Sequence, residues 1–415
     1  MLVKLAWKNI WRNKIRSGVI LGAIAFGLFA GTYLASFSSG WMVGTVKDAI
    51  NTDFSHIQIH DTAFAADNDI NAYFLRKNIE NSFAVYQQKD SLCKTASVSY
   101  RLLINGMLAS ANNAVGVQAN GVNVKEEKAV STIWKTIPDS LGEFLPDNIT
   151  NPIVISQKTA DKLKVKLHSK IVFSFQDATG QMQTMAFRIS GIFHTANSVF
   201  DEGTVFVRYD DLLPNTALPD GAAHMAAILF ANNTPFDKID EITPDIKNLF
   251  PTYDVQNWAQ ISPMMSLSLS WTNLMVVVII AIFLFALAFG IINTMLMAVL
   301  ERQQELGMLQ AIGMSKGKIF AMIMYETAFL TILGGLVGII LAALTIFPSI
   351  RGGIDLTPLM GNDFEDFGFS SVVYPILDIK MFLEIVGLVI ITGIVSAIYP
   401  ARKALKLKPL DAIRE

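Results

Sequence analysis

Four stretches of this chain carry no charged residue for long enough to cross a bilayer: Ser17 to Val46, Trp271 to Leu300, Thr327 to Ile350 and Ile385 to Ala401. A hydrocarbon core is spanned by about 20 helical residues, and only helices or closed barrels satisfy their backbone there. The fold is therefore confined to a membrane α-helical one with four transmembrane helices, the fourth starting near Met381. With 52% hydrophobic and 16% charged residues over 415 positions, the chain is too apolar to be a string of soluble domains. The first stretch follows a basic start, as a signal peptide would. Its apolar run exceeds the usual run of about 7 to 15 residues, so it reads as an uncleaved anchor.

The side of the membrane follows from where Lys and Arg fall. Lys4, Lys8, Arg12, Lys14 and Arg16 precede the first span without an acid among them, and Arg402, Lys403, Lys406, Lys408 and Arg414 follow the fourth. Both termini are expected to be cytoplasmic, which an even number of spans allows. The loop after the third span carries Asp355, Asp363, Glu365, Asp366 and Asp378 against Arg351 and Lys380, as an outside loop should. Between the first two spans lies the large external part, in which acids outnumber bases. Glu301 to Lys318 is left as the one inner loop.

No span carries a charge at mid-depth; Glu326 and Glu384 lie at span boundaries. A proton or ion relay would need buried ionisable groups there, which counts against a secondary transporter. Gly18 and Gly22, Gly27 and Gly31, and Gly334 and Gly338 stand four apart and would let helices approach closely, within the chain or against a partner. A net charge of −2 gives no case for nucleic-acid binding. The single cysteine, Cys93, excludes an internal disulfide and reads as a small buried hydrophobe.

Helix and strand patterns alternate across the external part, predicting an α+β domain of two subdomains. His56 to His60 alternates strictly and puts two histidines on one strand face, roughly 13 Å apart at strand rise and too far for one metal. A helix is expected from Phe74 to Gln88, and strands over Ser97 to Asn105 and Ala114 to Asn120. A second unit starts after Pro146-Asp147-Asn148, with a strand at Ile153 to Ile155 and Ser156 capping a helix through Leu163. A hairpin follows, Ile171 to Gln176 and Met182 to Gly191, turning at Asp177 to Gly180. After a strand at Thr204 to Arg208, strand, helix and strand at Met225 to Phe230, Phe236 to Leu249 and Tyr253 to Val255 complete the first unit. His168, His194 and His224 are scattered, and no GxSxG or HExxH occurs. Asp201-Glu202 before Gly203 reads as a solvated turn, with an ion-binding corner as its alternative. No catalytic set emerges, so the chain is expected not to be an enzyme.

In the inner loop, Glu301 and Glu305 stand one helical turn apart, and Leu306, Leu309 and Ile312 or Gly313 follow a three-to-four spacing. A helix with one apolar side either lies in the lipid interface or docks into a partner's groove. GxxxxGK[ST] occurs nowhere in the chain, so any use of ATP must be borrowed.

ERQQELGMLQAIGMSKGKIF, after one apolar span and before another, resembles the inner loop of FtsX-like, MacB-type ABC transporter permeases, whose pattern is close to ER-x-x-E-[IL]-G-x-x-[RK]-A-[IL]-G-[AM]-[ST]. Glu301, Arg302, Glu305, Gly307, Ala311, Gly313 and Ser315 match it, and Gln310 departs from it. LAWKNIWRNKIRS is similar to the family's amphipathic start, YPARKALKLKPLDAIRE to its tail, and IVISQKTADKLKVKLHSKIVF to the smaller external subdomain, with Leu167-His168-Ser169 where Gly-Asp is common.

The resemblance implies the following layout: a cytoplasmic amphipathic helix at 1–16, a first span and stalk at 17–46, a periplasmic domain at 47–262 with a smaller subdomain inserted at 148–213, a stalk and second span at 263–300, a coupling loop at 301–318, a third span at 319–350, a periplasmic loop at 351–380, a fourth span at 381–401 and a cytoplasmic tail at 402–415. It implies residence in a bacterial inner membrane and a dimer of cytoplasmic ABC ATPases as partner, with ATP and Mg held there and no cofactor in this chain. Glu301, Arg302, Glu305, Leu306, Gly307, Leu309, Ala311 and Gly313 would be the ATPase-coupling residues. It further implies a second permease copy or paralogue and ATP-driven motion carried to the outer domain. The substrate would be a lipoprotein, peptide or lipophilic compound. A periplasmic adaptor and an outer-membrane channel stay open, as does the alternative of an ATP-gated regulator of a periplasmic partner such as a cell-wall hydrolase.

Overall fold

A computed structural model describes residues 2–88, 90, 92–195, 197–231, 234–360 and 372–405. Residues 361–371 of the expected outer loop, and the tail from 406 onward with its family-like Pro409 and Ala412 to Arg414, lie outside the described residues. The chain divides into two compact units. One comprises Met1–Val43, Ser268–Asp355 and Val372–Glu415; the other comprises Gly44–Leu267 and Leu356–Ser371.

The first unit is helical. A short helix α1 (Leu2–Arg12) stops at Asn13, and α2 runs from Lys14 to Ala49; α3 (Pro263–Glu301), α4 (Gln303–Ala311), α5 (Lys316–Gly352) and α6 (Ile379–Ala404) follow. Among the described residues, four helices are long and apolar enough to cross a membrane: Lys14–Phe54, which is α2 with its terminal turn, and α3, α5 and α6. Their outer faces stay apolar, with Ile282, Phe285, Phe289, Leu344 and Phe347 all exposed. On a soluble protein such a surface would be a liability, whereas lipid accepts it. Inside, glycine sets the helix spacing. A Cβ on Gly338 would stand 2.8 Å from the Ala25 carbonyl oxygen, and one on Gly334 2.9 Å from Ile24 Cβ, so α5 and α2 pack backbone to backbone.

Helix α1 has two different faces. Ala6, Asn9 and Ile10 are buried, while Trp7 and Trp11 remain substantially exposed. Trp7 meets Phe329 edge to face at 5.4 Å, and Asn9 is buried close to Met322, so α1 lies along α5. Indole rings at such a position suit a membrane–water interface.

The second unit is built on one nine-stranded sheet. Its strands are β1 (Ile57–Asp61), β2 (Ser97–Ala109), β3 (Ala114–Val122), β4 (Pro152–Ser156), β5 (Lys170–Gln176), β6 (Met182–Phe193), β7 (Thr204–Arg208), β8 (Met225–Leu229) and β9 (Tyr253–Asn257). They pair in the order β9-β1-β8-β2-β3-β7-β4-β6-β5, and β5 also returns to β2. The return pairing closes β2 to β7 into a ring. Strand β2 is long enough to serve twice: Ser97 to Arg101 pairs with β8, and Leu102 to Ala109 pairs with β3. One half thus belongs to an open sheet and the other to a barrel filled by Leu102, Ile104, Ile155, Phe173, Phe187 and Val205. Residues 148–213 supply β4 to β7 of that barrel. Two of its pairings, β3 with β7 and β4 with β6, are parallel.

Local signals operate as expected at several points. Ser156 Oγ accepts from Thr159 N and starts the helix Gln157–Leu163. The β5–β6 hairpin turns at Asp177, whose carboxylate accepts from Thr179 N and Gln181 N, each at 2.9 Å. Asp201 differs from its reading as a solvated turn. Its side chain is fully buried and accepts from Thr195 N, Thr195 Oγ1 and His194, because the helix Ser198–Gly203 folds it beneath the β6 end. Glu202 instead pairs at the surface with Lys162.

Candidate functional site

The Glu301 to Lys318 segment forms a kinked helical arm. Helix α3 ends at Glu301, Arg302 leaves helical geometry at φ −109° and ψ 21°, and α4 resumes at Gln303. The arm turns back at Gly313, whose φ of +99° is a left-handed conformation that suits glycine. Ser315 then begins α5.

Three carboxylates and three guanidiniums run through the base of this arm as one chain. Arg12 pairs with Glu305, Glu305 with Arg302, Arg302 with Glu326, Glu326 with Arg16, and Arg16 with Glu301. The middle members are the most enclosed: the side chains of Arg16, Glu326 and Arg302 are 10%, 5% and 14% exposed. Arg302 spans two acids with different nitrogens, Nε donating to Glu305 at 3.1 Å and Nη1 reaching Glu326 at 3.3 Å. A guanidinium can do this and an ammonium cannot, because its donors form a fixed fork. The chain ties α1, the start of α2, the kink and α5 together. Hydrogen bonds from Arg12 and Arg302 hold the Glu305 carboxyl below its ordinary value.

The arm has an anchored side and an open side. Leu306 and Gly307 are buried, whereas Met308 is 51% and Ile312 84% exposed. Between the end of the arm and α1 lies an apolar groove of about 670 Å³, lined by Leu2, Val3, Leu5, Leu309, Ile312 and Met314 among others.

The second unit has its own junction, at the end of α2. The helix closes in a π-turn, Ile50–Phe54, leaving carbonyls that need donors. Each finds one: Thr132 N donates to Asn51 O at 2.8 Å, Ser131 Oγ to Thr52 O, Arg101 Nη1 to Asp53 O at 3.2 Å, and Gln58 Nε2 to Phe54 O at 2.8 Å. Arg101 is itself fixed by a bidentate pair with Glu127, at 2.8 and 3.0 Å, both side chains being almost wholly buried. Strand β1 leaves this junction and pairs antiparallel with β9, which leads into α3 through the capping box of Asn257 and Gln260. The helix ends α2 and α3 therefore connect to neighbouring strands. His56 and His60 serve the same strand. His56 Nδ1 accepts from Phe230 N, and His60 bonds the His224 carbonyl. Burial depresses both imidazoles to about 4. Among the described residues no group of His, Cys, Asp and Glu is placed to hold a metal ion.

Residues 277–409 match the FtsX-like permease C-terminal family. Over that stretch the chain is similar to FtsX-like permeases. Similar proteins include an uncharacterized ABC transporter permease of Methanocaldococcus jannaschii, 26% identical over 66% of this chain and 64% of that one. The macrolide export ATP-binding/permease protein MacB of Bdellovibrio bacteriovorus is 30% identical over 39% of this chain and 22% of its own. The lipoprotein-releasing system transmembrane protein LolC of Xylella fastidiosa is 22% identical over 59% and 60%. The chain thus spans less than two thirds of each of these relatives.

Within the FtsX-like region the expected coupling residues fall into two groups. Glu301, Arg302 and Glu305 enter the ion chain and Leu306 and Gly307 are buried beneath them, while Leu309, Ala311 and Gly313 lie toward the open end with Ile312. Sequence reading missed Arg12, Arg16 and Glu326. Glu326, placed at a span boundary, sits within α5 with 4% exposure, and its one signal was being the sole acid of that helix. Arg101 and Glu127 were also missed, since nothing local marks a pair 26 residues apart.

Proposed function

We propose that this chain is the permease subunit of an ABC transporter whose ATPase is a separate protein pressing on the open side of α4. The observation that carries this is the clasped arm: one face is fixed to α1 and α5 by the Arg12 to Glu301 ion chain, and the other offers Met308 and Ile312 to a partner. Exposed apolar side chains on a rigid support make a docking knob, and a force applied there reaches three helices together. In this reading Glu301, Arg302, Glu305, Leu306 and Gly307 transmit, while Leu309, Ala311 and Gly313 shape the contact.

Both termini and the arm face the cytoplasm, and the strand-rich unit faces outward. Helices α2 and α3 carry the movement, and the buried junction at Asn51 to Phe54 passes it to the sheet. A second permease copy completes the assembly. The names of the MacB and LolC relatives favour a lipophilic export substrate or a lipoprotein as cargo. The test is co-purification from native membranes. A soluble ATPase should accompany the wild-type chain and be lost from a variant carrying Arg302→Ala with Glu305→Ala; if neither form binds an ATPase, the reading fails.

A further inference from the structure

Besides the transmitting elements, the barrel of the second unit carries a cavity with no part in them. It measures about 560 Å³, within the range of about 300 to 1,000 Å³ typical of small-molecule sites. Its apolar lining comes from Leu141, Val165, Leu167 and Ile192, with Ala160 behind them. Two exposed cationic residues, Lys164 and Lys166, also line it.

The walls are built from fixed pieces. The Leu141 side is pinned to β6 by the Gly142–Gly191 bridge and by Glu143 N donating to Ser190 O at 2.8 Å. The opposite side is the C-terminus of the helix Gln157–Leu163 and the turn after it, in which Lys166 N donates to Ser169 Oγ and Ser169 N to Lys166 O. Lys164 ends that helix at φ 54° and ψ 46°, in the left-handed region that favours glycine. Asp161, the one acid of the lining, is engaged by Gln157 Nε2 at 2.9 Å. Among the described residues neither Lys164 nor Lys166 has an ion-pair partner, although Lys162 beside them does.

We propose that this cavity binds a small amphiphilic anion, with its apolar body against Leu141, Leu167 and Ile192 and a single carboxylate, sulfonate or phosphate head on Lys164 and Lys166. Two lysines against the one carboxylate of Asp161 leave the lining net positive, which disfavours a cation, and a neutral apolar molecule would leave both ammonium groups unused.

The test uses the full chain in lipid nanodiscs and the water-soluble photoprobe 4-benzoylbenzoate, compared with its cationic analogue (4-benzoylbenzyl)trimethylammonium. Peptides containing Leu141, Leu167 or Ile192 should be labelled at least tenfold more by the anion, and octanoate should protect them. Lys164→Glu with Lys166→Glu should cut labelling at least tenfold, while the exposed pair Lys77→Glu with Lys94→Glu leaves it unchanged and all variants melt alike. Equal labelling by the cation, labelling undiminished in the Lys164 and Lys166 variant, or no labelling at these peptides would overturn the proposal. So would protection by an acidic apolar peptide but not by octanoate, which would make the occupant a polypeptide.

Discussion

Arg302 Nη1 lies 3.3 Å from both carboxylate oxygens of Glu326, joining the kink after α3 to the interior face of α5. Glu326 holds Arg16 as well, so one acid keeps two guanidiniums in place. Removing one partner of such a buried set leaves charge uncompensated and costs about 3–5 kcal/mol. Glu326→Gln should therefore lower the thermal stability of the purified chain and uncouple substrate-stimulated ATP hydrolysis in the reconstituted complex. Arg302→Lys should lower stability and coupling as well, since a single nitrogen replaces the two that reach Glu305 and Glu326 separately.

Ile312 makes a contrasting case, because its side chain is 84% exposed. Ile312→Glu should leave the melting temperature within about 1 °C and weaken ATPase binding by about 10- to 100-fold, as loss of a central apolar anchor does at an interface. Affinity measured against the purified ATPase separates this from an effect on folding.

Gly313 has open space around it and a φ of +99°, so a substitution there meets only backbone strain. Gly313→Ala should cost about 1 kcal/mol. Gly313→Asn should cost less, because asparagine tolerates left-handed geometry better. Comparing the two by thermal melts and by ATPase binding tests whether the turn itself sets the docking geometry.

Acid should destabilise the strand-rich unit. His56 and His60 titrate at about 4 in the folded state because burial disfavours their charged forms, whereas an unfolded imidazole titrates near 6.5. Between those values the unfolded chain binds more protons, so the stabilisation is complete above about pH 6.5 and is lost as pH falls toward 4. Each histidine contributes a slope of up to about 1.4 kcal/mol per pH unit in that window. Unfolding followed by tryptophan fluorescence at pH 7, 6 and 5 should show the decline, and His60→Gln should flatten it.

Much of the fold was legible because its signals are local. Apolar runs gave the membrane helices, the Ser156 cap began its helix, and the Asp177 to Gly180 turn formed its hairpin. Strand β2 was predicted to end at Asn105 and continues to Ala109, because its second half finds partners in β3 and β5 that no local pattern announces. The parallel pairings and the barrel closure depend on such distant contacts. At the candidate site the arm itself was visible from charge and periodicity. Its anchorage was not: Arg16 and Glu326 are 310 positions apart, and each looks like an ordinary charge at the end of an apolar run. Asp201 failed as a surface turn for a related reason, since its burial depends on Thr195 and His194 folding back over it.

Cys93 provides a tool for the decisive experiment. It is buried, and desolvation pushes its thiol up to about 12, so it should resist N-ethylmaleimide at pH 7 until the protein is denatured. Cysteines introduced elsewhere can then be modified without first removing it.

Photo-crosslinking from position 312 tests the central claim most directly. A benzophenone maleimide attached to Ile312→Cys in native membranes should capture a soluble protein carrying a GxxxxGK[ST] ATPase motif. The same reagent on Val199→Cys, an exposed site in the strand-rich unit, should not. Capture of the ATPase from position 199, or of lipid alone from position 312, would contradict the account.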